Sequence, residues 1–210
     1  MDDFASALDR IRRAYAQFLM VGQRWDVEIE EPWDFASSNW QAQLRAVVRE
    51  LGRQRPPEWI DYFAFRRGLY REVPPFAIGR LGWDNWLLWK ALSAGSAVVD
   101  ASSRVVAVHQ NHLYYHPEGF AGICQSEEAG RNRYLAGDGL NGRTIADAPY
   151  ELSPRGVRLS LRRKLRSFLK RTWLPMLNVS RPVRHALGLR HDNLKPTLDR
   201  LGLARRRDSQ

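Results

Sequence analysis

Apolar positions recur near the start of the chain with helical spacing. Phe4, Leu8, Ile11 and Tyr15 follow one another at steps of four, three and four, so they share one face of a helix, and Asp2 or Asp3 stands where a side chain caps a first turn. The period then changes. Phe18-Leu19-Met20-Val21 is a continuous apolar run ended by Gly22, the pattern of a strand covered on both faces. Residues 23–38 are polar, acidic and aromatic without a period and predict a loop. Asn39 then stands ahead of a second helical stripe, Trp40, Leu44, Val47, Val48 and Leu51, which Gly52 closes. Ile60-Asp61-Tyr62-Phe63-Ala64-Phe65 reads as a strand. Residues 66–82, with two prolines and three glycines, read as a loop, and residues 83–94 as a helix closed by Gly95. Val98-Val99 and residues 104–108 predict two more short strands. Residues 117–150 predict loops with one helix near 126–135. No internal repeat is visible. Helices alternating with short buried strands predict a mainly parallel α/β sheet.

Composition sets bounds on this picture. The 210 residues are 44% hydrophobic and include eight tryptophans, enough for a packed core and far from the make-up of a disordered chain. The formal net charge of +10 is unevenly placed. Residues 153–210 carry 16 basic and three acidic residues, a net of +13, whereas residues 1–152 carry 17 basic and 20 acidic residues, a net of −3. The expected organisation is therefore a nearly neutral domain over 1–152 and a basic appendage over 153–210. The overall basicity is no sign of nucleic-acid binding by the domain, and none is expected. With one cysteine, Cys124, the chain has no internal disulfide and no Cys-based zinc module. Nothing flanking Cys124 would activate it, so it reads as a small hydrophobe. Neither a signal peptide nor a run of 18 apolar residues is seen. A cytoplasmic location is expected.

Chemistry concentrates in two stretches. One is Pro74-Pro75-Phe76-Ala77-Ile78-Gly79-Arg80-Leu81-Gly82-Trp83-Asp84-Asn85-Trp86; the other is His109-Gln110-Asn111-His112-Leu113-Tyr114-Tyr115-His116. With the stretches 18–26 and 61–69, this ordered set resembles the carboxy-terminal half of family 2 type glycosyltransferases of the GT-A fold. The resemblance covers roughly residues 1–150 and implies a partial GT-A-like, Rossmann-like mixed sheet flanked by helices. It implies sugar transfer from a nucleotide-sugar donor to a glycan or other hydroxyl acceptor, with Gly82-Trp83-Asp84 at the acceptor site. The amino-terminal nucleotide-binding half of such a fold, with its Asp-x-Asp metal motif, has no counterpart in these residues. A truncated or split transferase is expected, and nucleotide binding by these residues alone is expected to be weak. A non-catalytic remnant that binds a glycan or a partner protein is the rival reading.

Each candidate carries two readings. Asp84 either caps the helix that starts beside it or acts as general base toward an acceptor hydroxyl. Trp83 and Trp86 either stack on a sugar face or belong to the core. His109, His112 and His116 are spaced by three and four, but they follow a predicted strand and precede Pro117, so they read as strand end and loop. The resemblance implies His109 or His112 as a contact for the metal, Mn or Mg, or for phosphate, with Gln110 and Asn111 as hydrogen-bond donors; the other reading is loop histidines held by backbone. Arg66 and Arg67, before Gly68, carry forked donors suited to a diphosphate, although turn arginines are often only solvated.

The appendage contains a further pattern. Leu161, Leu165, Phe168, Leu169 and Trp173 form an apolar stripe among basic residues. That suits a helix over 161–173 lying on an anionic membrane surface at its inner face. A helix packed on the domain is the alternative.

Overall fold

The computed structural model describes residues 4–112, 119–137, 142–161 and 163–165. The chain runs α1 (Phe4–Ala14), β1 (Phe18–Val27), α2 (Trp40–Leu51), β2 (Arg53–Gln54), β3 (Ile60–Phe65), α3 (Trp83–Ser93), β4 (Ala97–Asp100), β5 (Ala107–Gln110), α4 (Gly119–Gln125), α5 (Glu127–Ala136), a 3-10 turn (Ile145–Asp147), β6 (Tyr150–Ser153) and β7 (Gly156–Leu159). Seven strands form one open sheet, which helices flank.

The central strand β1 explains the continuous apolar run. Phe18 and Met20 point into a cluster with Ala7 and Ile11 of α1, while Leu19 and Val21 point into another with Leu88 and Ala91 of α3. Alternate side chains thus meet a helix on each face, and both faces must be apolar. All four residues are at most 2% exposed.

The strand does not stop at Gly22, as the sequence suggests. It continues to Val27, and residues 23–27 are strand rather than loop. The glycine is needed for packing: a Cβ there would lie 2.2 Å from the Tyr62 hydroxyl. Register with β3 shifts between Val21 and Gln23, and β1 changes neighbours at this point. Its first half lies between β3, antiparallel, and β4, parallel. Its second half lies between β2, antiparallel, and β5, parallel. The Ser102 hydroxyl, just past β4, accepts the Gln23 N–H at 2.8 Å and so bridges the exchange.

The sheet is mixed rather than mainly parallel: β4 and β6 are parallel, β6 and β7 antiparallel. An apolar run records burial on two faces and says nothing of strand direction, which explains the difference. The expected boundary after residue 152 falls inside the β6–β7 hairpin, so β7 belongs to the sheet. Beyond it, Arg163 makes a 2.6 Å ion pair with Asp100, which is 6% exposed, while Leu161 and Leu165 are exposed. Asp2, Asp3, His116 and most of the expected helix over 161–173 lie outside the described residues. Among those described, no helix is long and apolar enough to cross a membrane.

Candidate functional site

The exchange of partners along β1 assembles a group of charged side chains. Arg24 and Asp26 are two apart on a strand and share a face. The same half-strand pairs Asp26 with His109 near the end of β5, and His112 lies just beyond the strand, the strand end and loop that their sequence context suggests. Asp61, at the start of β3, completes the group. Its Oδ1 accepts from Arg24 Nη1 at 3.0 Å, and its Oδ2 lies 2.7 Å from His109 Nδ1. Asp26 bridges two arginines, with Oδ1 2.7 Å from Arg24 Nε and Oδ2 3.1 Å from Arg55 Nε. The Arg24 side chain is only 9% exposed. Burial acts to lower its pKa, but the hydrogen bond and charge of Asp61, with those of Asp26, more than reverse this and leave it raised.

Aromatic rings wall this network. The guanidinium groups of Arg24 and Arg55 lie 4.6 and 4.4 Å from the Trp59 ring centre. Phe120 of α4 stacks on Trp59 at 5.7 Å. Together with His109, Asn111 and His112 they line a cleft of about 290 Å³.

Asp84 lies in the first turn of α3, where Gly82, at φ 102°, turns the chain into the helix. It is not the capping residue itself, but its Oδ1 accepts the Asn85 N–H at 2.8 Å. Burial raises its pKa, backbone N–H groups of the turn oppose that rise, and the Asp61 charge adds to it. Asp61 therefore bonds the histidine and Arg24, and its charge also acts on Asp84. The loop ahead of Asp84 is fastened by Asn132 of α5, which is fully buried: Ala77 N–H donates to its Oδ1 at 2.8 Å, and its Nδ2 donates to the Ala77 carbonyl at 2.9 Å. Asn85 Nδ2 donates to the Arg143 carbonyl at 2.6 Å.

The expected residues divide accordingly. His109, His112 and Asn111 line the cleft, whereas Asp84 is not among its lining residues and only feels the charge of Asp61. Trp83 is half-buried against Phe63, with ring centres 5.2 Å apart. Trp86 is core: it is 6% exposed and packed among Tyr70, Phe76 and Trp89, so no sugar reaches its face. Gln110 is used structurally, its Oε1 accepting the Ile29 N–H at 2.9 Å. Arg66 and Arg67 are exposed in the turn after β3, about 15 Å along the strand from Asp61, and are not brought to the cleft. Among the described residues, no group of three His, Cys, Asp or Glu side chains is placed to hold a metal.

Sequence reasoning gave no role to Arg24, Asp26, Arg55, Trp59, Asp61 or Phe120. Charged residues at positions 24 and 26 with strand spacing were the available signal. Comparison with known proteins found no matching family, no matching curated protein and no matching solved structure, so the chemistry of the cluster is read from its own residues.

Proposed function

We propose that this chain carries the acceptor side of a GT-A-like glycosyltransferase, with Asp84 as the base that takes the proton of an acceptor hydroxyl while that oxygen attacks the sugar of a nucleotide-sugar donor. What supports this best is Asp61, which bonds His109 and Arg24 and whose negative charge also acts on the buried Asp84. A carboxylate raised by burial and by a neighbouring negative charge holds a proton more readily than an ordinary aspartate, which suits a group that accepts one near neutral pH.

His109 suits a contact to the donor phosphates or their metal, because Asp61 on Nδ1 fixes the ring and leaves Nε2 as the outward nitrogen. A divalent metal, Mn or Mg, supplied with the donor half would take His109 or His112 as a ligand and offset the negative charge of the leaving diphosphate. An anionic membrane surface remains the proposed partner of residues 161–173, supported by the exposure of Leu161 and Leu165 beside basic residues.

The test joins these residues to a donor-binding half and follows sugar transfer by mass spectrometry. Asp84→Asn keeps the size of the side chain but cannot take a proton, and turnover should fall roughly 10²- to 10⁴-fold. Unchanged turnover in a folded variant would refute the reading.

A further inference from the structure

The cleft beside Asp61 has a chemistry of its own. Two guanidinium groups, Arg24 and Arg55, face two carboxylates, Asp26 and Asp61, so their formal charges cancel. The part of the cleft around Asp26, Arg24 and Arg55 therefore offers no net positive charge to an anion, unlike the outward nitrogen of His109. The ion pairs are close. Arg24 Nε and Asp26 Oδ1 are buried against each other at 2.7 Å, and Arg55 Nε lies 3.1 Å from Asp26 Oδ2. Arg24 as a residue is only 7% exposed.

A hydroxyl group both donates and accepts, so a polyol suits a cleft lined by arginine donors, the Asp26 carboxylate and the Asn111 amide. The wall formed by Trp59 and Phe120 offers an apolar surface next to these polar atoms. At about 290 Å³ the cleft is at the small end of ligand pockets, the size for one sugar ring rather than a long chain.

From the geometry we propose that the cleft between Arg24, Asp26, Arg55, Trp59, Asn111 and Phe120 binds one uncharged pyranose ring. It holds the sugar hydroxyls with Asp26, Asn111 and the arginines, and the sugar C–H face against the aromatic wall. The inference deepens the transferase reading, on which it rests for the ring's role as part of the acceptor, but the binding itself needs no transfer chemistry.

The test uses the 210-residue chain labelled with ¹⁵N and titrated with the methyl glycosides of glucose, galactose, mannose and N-acetylglucosamine, and separately with inorganic pyrophosphate. At least one glycoside should shift the Trp59 indole and Asn111 signals saturably. Phe120→Ala, at the rim of the cleft, and Arg55→Met, which keeps the stem but not the donors, should each weaken that binding about tenfold. The proposal is overturned if no glycoside shifts these signals, if neither substitution changes the affinity, or if pyrophosphate alone shifts them. Glycoside binding that persists while Asp84→Asn leaves transfer unchanged would refute the transferase reading and leave the sugar site standing.

Discussion

Asp61 Oδ2 lies 2.7 Å from His109 Nδ1 although the two residues are 48 positions apart in sequence. The approach depends on β1, whose second half pairs with β5 after its first half has paired with β3 and β4. A strand that exchanges neighbours brings together side chains that no short motif could place. The same arrangement puts the Asp61 charge within reach of Asp84.

Asp84 should cost stability at neutral pH. Its folded pKa lies above the unfolded value, so the folded state binds the proton more tightly, and stability falls as pH rises between the unfolded and the folded pKa. Asp84→Asn removes that loss. The variant should melt above the parent at pH 7, and the difference should vanish toward about pH 4, the unfolded range of an aspartate. Scanning calorimetry across that range checks the sign.

Gly22 and Tyr62 should behave as a coupled pair. An alanine Cβ at position 22 would lie 2.2 Å from the Tyr62 hydroxyl oxygen and 2.9 Å from its Cζ. Gly22→Ala should therefore cost about 1–3 kcal/mol, as overpacked cores do. The hydroxyl itself is buried with no hydrogen-bond partner among the described residues, and burial raises its pKa. Tyr62→Phe should then cost little, and in the double variant it should recover part of the Gly22→Ala loss. Urea denaturation of the four proteins gives the coupling.

Asn132→Leu should loosen the loop that carries residues 74–82. Its two bonds to Ala77 are lost, and the Ala77 N–H and carbonyl lose their partner, at about 1–3 kcal/mol for each buried group left unpaired. Hydrogen exchange should quicken in that loop while the β1 amides stay protected. Equal protection of both would show that Asn132 does not hold the loop.

The exposed Leu161 and Leu165 should contribute to membrane attachment. The protein should sediment with anionic vesicles, ignore neutral ones and detach as salt rises, because each basic side chain near the surface contributes about 1 kcal/mol that screening removes. Leu165→Glu with Phe168→Glu should abolish attachment with the sheet intact. Sedimentation unchanged by these substitutions, or no sedimentation at all, would contradict the membrane proposal.

Local pattern made much of the frame legible. α1, α3 and α5 lie close to where periodicity and glycines put them, and Ser126 caps α5 by accepting the Ala129 N–H at 3.2 Å. Asn39 precedes α2 as expected, yet its Oδ1 accepts from the Ser37 hydroxyl at 2.6 Å and caps nothing. The length of β1 was hidden because Gly22 is an ordinary stop signal, and its reason for being there is the distant Tyr62 ring. α4 was hidden because seven residues with two glycines carry too little period. The candidate site was legible as residue types but not as partners. Asp84 and His109 stood out by their neighbours, whereas Asp61 lay inside a strand pattern and gained its role only through pairing. Of the two readings of Trp86 the structure takes the core one; the sequence left both open because an aromatic residue has the same signature whether it faces a ligand or Tyr70 and Phe76.

The account rests on the charge of Asp61, which bonds His109, acting on Asp84 as well. Carboxyl ¹³C resonances of labelled aspartates, followed through a pH titration, test this most directly. Asp84 should titrate above the ordinary aspartate value of about 3.9, and Asp61→Asn should move its midpoint downward because a neighbouring negative charge is gone. An Asp84 midpoint at the ordinary value, or one that Asp61→Asn leaves in place, would contradict it.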